Sequence, residues 1–266
     1  VNRLLRWKAI NENLGGVRTI LDIGAATGAF SIPLSKMGYE VTHFDLSQDM
    51  INKAILKSKD MDNIKFVKGN AVDLSLFEED EFDLVLCFDG AISFSGKNSN
   101  KVIKESCRVG KKVMLTVSSK SCMVATWLNY SLSKFGRIHP SVKDMMVTGY
   151  FNKANYDDVS ELTSIDEIKA YDIKELSDIL ISNNMRVIEC RSLGSLTHLY
   201  LLHLYRQYNY QEVNKKINEI SIDNDFIELC DYYDKEVMNC GMGSFRRAGI
   251  IAIADKINDN SIEKSK

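Results

Sequence analysis

Short apolar runs alternate with amphipathic segments through the first 118 residues of the chain. The apolar runs are short enough to be strands and lie at 18–23, 40–45, 64–68, 82–88 and 111–118. Segments with apolar residues at helical spacing separate them, at 28–37, 47–59 and 98–108. Strands that alternate with helices form parallel sheets with crossover connections, so the pattern predicts a doubly wound α/β fold. Ser47 is expected to be the N-cap of the second helix.

The alternation stops at residue 119. Residues 119–170 mix aromatic and polar side chains, and we expect them to form a cap inserted at the carboxyl edge of the sheet. The sheet pattern then returns with a helix at 172–182, a strand at 185–190 and a final apolar strand at 245–254. Helices predicted within 195–240, at 195–209 and 223–239, would add to the cap. The interpretation is a single domain over 1–266 with an inserted lid.

The first apolar run ends in an acidic residue and a glycine-spaced turn, Asp22-Ile23-Gly24-Ala25-Ala26-Thr27-Gly28. A strand that stops at such a turn leaves bare backbone N–H groups against which a ligand can lie. Asp45 ends the next strand, where an acid binds a ribose diol in doubly wound sheets. The G-x-G-x-x-G fingerprint of dinucleotide sites is absent, and an acid in the turn would repel a pyrophosphate. The turn therefore favours a nucleoside ligand with a positive end, although an NAD-dependent enzyme stays an alternative.

The pattern D-x-G-x-x-x-G resembles motif I of the class I S-adenosylmethionine-dependent methyltransferases, with Ala26 in place of the usual central glycine. Three further segments resemble elements of that family in order and spacing, although the usual Pro-Gly-Gly is absent from the third: 66–73, 81–90 and 105–115. The resemblance covers residues 18 to 118. It implies a Rossmann-like, seven-stranded, mostly parallel sheet with an antiparallel last strand, and S-adenosyl-L-methionine as the cofactor.

The resemblance also implies which residues bind the cofactor. Asp22 would lie near the methionyl amine, and Asp45 would accept hydrogen bonds from the ribose hydroxyls. Leu46 and Met50 would pack against adenine, unless they are core residues of the helix. The other implied cofactor-binding residues are those of the turn, the adenine loop and the end of the fourth strand: Gly24, Ala25, Ala26, Gly28, Asn70, Ala71, Val72, Cys87, Phe88 and Asp89.

The segment Phe88-Asp89-Gly90-Ala91 departs from the Asn/Asp-Pro-Pro-aromatic motif of members that methylate bases or glutamine amides. It resembles members that act on small molecules, so we expect transfer to the N or O of a metabolite or natural product. Such a transfer depends mainly on proximity and in-line positioning. If the acceptor needs a general base, His198 and His139 are the candidates, with a structural role as the alternative. No acidic–histidine cluster has metal-binding spacing, so no metal is expected.

Composition limits the kinds of partner that the chain is expected to bind. The formal net charge of −2 over 266 residues does not favour phosphate-backbone binding, so no nucleic-acid partner is expected. No run approaches the ~18 apolar residues of a membrane span, and the six cysteines include no C-x-x-C pair, which is typical of a cytoplasmic protein with reduced thiols. Two alternatives stay open: a regulatory or scaffold protein that binds S-adenosylmethionine without catalysis, and a methyltransferase that acts on protein or RNA.

Overall fold

The computed structural model describes residues 2–88, 90–158, 163–237 and 249–257. Its strands are β1 (Thr19–Ile23), β2 (Glu40–Asp45), β3 (Ile64–Lys68), β4 (Leu84–Cys87), β5 (Lys112–Ser118), β6 (Tyr150–Asn152), β7 (Glu167–Lys169), β8 (Met185–Leu193) and β9 (Gly249–Lys256). Its α-helices are α1 (Asn2–Glu12), α2 (Ser31–Lys36), α3 (Gln48–Lys57), α4 (Ser99–Val109), α5 (Lys120–Phe135), α6 (Pro140–Thr148), α7 (Ile173–Ser182), α8 (Ser195–Gln207), α9 (Tyr210–Ile220) and α10 (Asn224–Tyr232).

Seven of these strands form one mixed sheet in the order β3-β2-β1-β4-β5-β9-β8. Strands β1 to β5 pair in parallel, as the alternating pattern predicts. Strand β9 runs the other way, because Lys256 N donates to Lys111 O before β5 and Ile257 N donates to Asn184 O before β8. The sheet therefore has six parallel strands and one antiparallel strand, which confirms the predicted Rossmann-like fold.

The central strands are buried along almost their whole length. All four residues of β4 are buried, and so are four of the five in β1 and five of the seven in β5. Near-continuous apolar strands are typical of parallel sheets covered on both faces by helices. Ser47 caps α3 as predicted, because its side chain accepts a hydrogen bond from Met50 N. Helix α2 begins later than the predicted residue 28, because residues 24–30 are used in the glycine turn.

The chain divides into two compact units. One contains residues 16–117 and 174–190 and the part of β9 from residue 252, and the other contains 2–15, 118–173 and 191–251, as far as these residues are described. The expected cap segment 119–170 falls within the second unit. Its position over the sheet stays a prediction.

Two tightly packed groups stabilise the second unit. Helices α5 and α6 and the antiparallel pair β6–β7 enclose an apolar cluster that includes Trp127, Met145 and Phe151. In the other group, the buried Asp231 of α10 lies 3.3 Å from both Lys8 Nζ and Arg191 Nη2. Helices α1 and α9 were not predicted, and α10 ends at Tyr232, before a short π-helical segment over 233–237. No described helix is long and apolar enough to cross a membrane.

Candidate functional site

Contrary to the prediction, the turn after β1 does not leave the N–H groups of Gly24, Ala25, Ala26 and Gly28 free for a ligand, because all four donate within the protein. The N–H groups of Gly24 and Ala25 donate to Phe44 O over 2.8 and 3.2 Å, which holds the turn against the end of β2. Gly24, Ala26 and Gly28 have φ values of 71°, 48° and 84°. Glycine adopts these left-handed conformations without cost, whereas an alanine there is strained. The replacement of the usual central glycine by Ala26 therefore leaves the turn geometry in place at an energetic cost.

Asp45 is held by backbone donors on both of its oxygens. Its Oδ2 accepts from Ala26 N and its Oδ1 accepts from Ser47 N, each over 2.8 Å. The side chain is 8% exposed. A carboxylate oxygen can accept more than one hydrogen bond, so both oxygens keep capacity for a ligand hydroxyl. The carboxylate thus joins the glycine turn to the start of α3.

A buried polar group lies at the start of α2. Asp22 accepts a hydrogen bond from Ser31 N over 3.0 Å, and Ser31 Oγ lies 2.8 Å from His43 Nδ1. Burial lowers the pKa of His43 below its ordinary value, an effect that the nearby charge of Asp45 opposes. Burial raises the pKa of Cys87, and the charge of Asp22 adds to that rise. Asp22 and Cys87 therefore lie in the interior of the unit.

A cavity of about 260 Å³ lies at the carboxyl ends of β1 to β4. Its lining comes from the segments that follow these four strands: Gly24, Phe44, Asp45, Leu46, Gly69, Asn70, Ala71, Phe88, Gly90, Ala91, Phe94 and Ser95. Another cavity, of about 410 Å³, lies at the amino ends of the same strands beside Thr19, Glu40 and Ile64. Ligands of doubly wound sheets bind at the carboxyl edge, so the smaller cavity is the candidate site.

Six of the residues predicted to bind the cofactor line this cavity: Gly24, Asp45, Leu46, Asn70, Ala71 and Phe88. Seven others do not line it: Asp22, Ala25, Ala26, Gly28, Met50, Val72 and Cys87. Asp89 lies outside the described residues. Of the seven, Ala26 N and Asp22 shape the turn, while the backbone N–H groups of Met50 and Val72 bond to Ser47 and Asn70. Gly90 and Ala91, which the sequence analysis connects with small-molecule acceptors, also line the cavity. Gly69, Phe94 and Ser95 line it and were not predicted, although each follows a predicted strand within a few residues.

The lining depends on small residues where the walls approach each other. A Cβ atom added to Gly24 would lie 3.0 Å from the Cβ of Ala91, and one added to Gly69 would lie 2.4 Å from the ring of Phe44. Leu46 is 65% exposed and gives the cavity an apolar wall beside Asp45. The Oδ1 atom of Asn70 accepts from Val72 N over 3.1 Å, which fixes the amide at the end of β3. A carboxylate, an amide and an apolar surface beside bare backbone fit the ribose and adenine of S-adenosylmethionine.

The two predicted base candidates belong to the other compact unit. His139 is buried at the N-cap of α6, where its Nδ1 accepts from Ser141 N over 3.2 Å. Its Nε2 lies 2.8 Å from Asp158 Oδ1. This hydrogen bond is the main cause of the lowered pKa of Asp158. His198 is buried on α8. The contacts of His139 support the structural alternative for that residue.

No group of three or more His, Cys, Asp or Glu side chains within the described ranges is arranged to hold a metal ion.

Known proteins resemble this chain in sequence mainly in its first half. The family described as "Methyltransferase domain" matches residues 20–112. Demethylmenaquinone methyltransferase of Staphylococcus carnosus is 27% identical over 173 residues, which are 59% of this chain and 70% of that protein. The protein of the same name from Staphylococcus aureus is 30% identical over 137 residues, or 47% of this chain. This chain spans only 55% of the length of the S. aureus protein.

A solved structure extends the likeness to most of the chain. A protein from Methanosarcina mazei described as a SAM-dependent methyltransferase superposes with a TM-score of 0.58. The superposition covers 94% of this chain and 98% of that one, at 19% sequence identity. At this identity the likeness shows the fold, and it agrees with the strand order described above.

Proposed function

Because this chain is a class I methyltransferase with S-adenosylmethionine as its cofactor, we propose that it methylates the N or O of a small metabolite. The observation that carries the proposal is the cavity at the carboxyl ends of β1 to β4. Its walls are bare backbone, apolar side chains, one carboxylate, the amide of Asn70 and the hydroxyl of Ser95. Such a site suits a small ligand that is positioned rather than chemically activated by the protein.

Different residues of the cavity would bind different parts of the cofactor. Asp45 would accept hydrogen bonds from the ribose hydroxyls, and Leu46 and Asn70 would contact the adenine face and edge. The bare backbone at Gly24 would let the ligand approach the turn. When bound, S-adenosylmethionine supplies a sulfonium methyl group that is already activated toward a nucleophile. The protein then has to align the acceptor and exclude water.

The acceptor must lose a proton when it is methylated, which limits the kind of acceptor that the site can use. Among the residues that line the described cavity, Asp45 is the one with an acidic side chain, and its two oxygens already accept backbone hydrogen bonds. A neutral amine can attack a sulfonium methyl group and release its proton to solvent after the transfer, and a phenol or an enol can attack once it has lost its proton to solvent before the site closes. An acceptor of this kind agrees with catalysis by positioning, and it requires no role for His139 or His198.

The test is release of S-adenosylhomocysteine that depends on an acceptor. The full chain is incubated with S-adenosylmethionine and single acceptors: a panel of phenols and amines, which offer O or N, and the reduced quinol of demethylmenaquinone, because the relatives above carry that name. The quinol also offers a ring carbon, so the position of the methyl group in its product is determined. We expect product only when a suitable acceptor is present, and we expect Asp45→Ala to abolish it.

Cofactor binding without product from any small acceptor would contradict the proposal. Extracts of protein and of RNA, added as acceptors, then separate a macromolecular methyltransferase from a protein that binds the cofactor without using it.

A further inference from the structure

The segment after β4 presents an aromatic ring to the cavity. Phe94 belongs to a short 3₁₀ segment at Ser93–Asn98, lines the cavity and is 57% exposed. A phenyl ring left in water loses the free energy that it would gain from burial. Phe94 follows β4, whereas Asp45, Leu46 and Asn70, which are proposed to hold adenosine, lie at the ends of β2 and β3, beyond β1 in the sheet. Its exposed ring therefore lies on another side of the cavity and is available to a second ligand.

The backbone that carries Phe94 is held rigidly. Phe94 N donates to Gly90 O over 2.9 Å, and Ser95 Oγ donates to Ala91 O over 2.8 Å. Ser99 Oγ, which is buried, lies 2.7 Å from the carbonyl oxygens of both Ile92 and Gly96. With its frame hydrogen-bonded at both ends, the ring is preorganised rather than free to collapse into the core.

The absence of a side chain at Gly90 leaves room for the Phe94 ring. Its φ of 114° is a conformation that side chains rarely adopt, and an added Cβ would lie 2.6 Å from the Phe94 ring. The ring therefore packs directly on the backbone of Gly90. This is the same Phe88-to-Ala91 segment that differs from the motif of members that methylate bases.

The charge of the lining limits what can approach the ring. The described lining residues include no Lys, Arg or His, and Asp45 is the charged one. Asp22 adds a second carboxylate beneath the glycine turn. An anionic acceptor would meet repulsion from the carboxylates and would find no cationic partner among these residues.

We infer that Phe94 is a specificity-determining residue that selects a planar, uncharged acceptor by packing against its ring. The inference rests on the proposed function and goes further by naming the class of acceptor. Offset or edge-to-face contact with an aromatic acceptor adds to the gain from burying both surfaces.

The experiment uses two probes that differ by one charge: 2-naphthol and 6-hydroxy-2-naphthoic acid. Their binding to the full chain, saturated with S-adenosylhomocysteine, is measured by calorimetry at pH 7. We expect 2-naphthol to bind at least about tenfold more tightly than the carboxylate. Phe94→Ala should weaken 2-naphthol about tenfold or more, and Phe94→Leu should recover part of the loss because it keeps apolar surface without the ring.

Leu76→Ala is the matched control, because Leu76 is an exposed apolar residue that does not line the cavity. It should leave the affinity for both probes and for S-adenosylhomocysteine unchanged, and each Phe94 variant is first titrated with S-adenosylhomocysteine so that saturation is verified. Equal binding of the two probes, no binding of 2-naphthol, or an unchanged affinity in Phe94→Ala would overturn the inference.

The outcomes also separate this inference from the proposed function. Loss of probe binding in Phe94→Ala, with no methyl transfer by the wild type to any small acceptor, refutes the function and leaves the pocket assignment standing. Methyl transfer that continues with an unchanged KM in Phe94→Ala refutes the inference and leaves the function standing.

Discussion

Asp45→Asn tests the candidate site at its most constrained residue. The carboxylate accepts one backbone hydrogen bond on each oxygen, from Ala26 N and Ser47 N, and the side chain is almost fully buried. An amide of the same shape keeps one acceptor, but its NH₂ group must face the other N–H donor. The substitution therefore removes one hydrogen bond to a charged group and leaves a part-buried backbone donor without its acceptor.

The structure sets the magnitude of two separate effects. A hydrogen bond to a charged group contributes about 1.5–3 kcal/mol, so the free energy of unfolding should fall by about that amount. A ribose diol that loses one of its two acceptors should bind about ten- to a hundredfold more weakly, at about 1.4 kcal/mol for each factor of ten. Asp45→Ala loses both acceptors and should show the larger loss in each measurement.

Urea denaturation gives the first quantity, and calorimetric titration with S-adenosylhomocysteine gives the second. Asp223→Asn is the control, because Asp223 accepts Phe226 N at the N-cap of α10, where asparagine caps equally well. An Asp45→Asn protein with wild-type stability and affinity would refute the whole argument. Lower stability with unchanged affinity for S-adenosylhomocysteine would support the backbone contacts of Asp45 and refute its role in binding the ribose.

Three further predictions concern residues around the site and the cap segment. Ala26→Gly should keep or raise the free energy of unfolding by up to about 1 kcal/mol, because it relieves a left-handed alanine, while Ala26→Val should lower it in the same denaturation assay. Burial lowers the pKa of His43 below its ordinary 6.5 in the folded chain, so its neutral form stabilises the fold fully above pH 6.5 and this contribution is lost as the pH falls below that value. His43→Asn should therefore flatten the decline in the free energy of unfolding between pH 7 and 5. An unchanged slope would contradict this prediction. His139→Ala should lose about 0.5–2 kcal/mol of stability with the α6 cap, His139→Asn should restore most of it, and neither should alter the pH profile of kcat unless His139 is a base.

The elements that depend on local signals could be predicted from the sequence. The run of Thr19–Ile23 into Gly24, the acid at the tip of β2 and the N-cap Ser47 are defined within a few residues of chain, and the structure has all three. Helices α1 and α9 were missed because most of their residues are polar, and each is stabilised by contacts or a cap outside the helix itself. Asn209 and Glu212 form the capping box of α9.

The sequence by itself determined the sheet class and the Asp45 position, because periodicity, glycine spacing and strand ends are local properties. The tertiary structure decided which side chains meet at the cavity. Cys87 ends β4 inside the sheet, whereas Phe94 reaches the cavity from a turn whose shape depends on Gly90 and on hydrogen bonds from Ser99. The insertion of β9 between β5 and β8 likewise depends on pairing between segments more than 50 residues apart in the chain. Contacts of that kind leave no local pattern, because they join segments whose spacing along the chain carries no information about their distance in the fold.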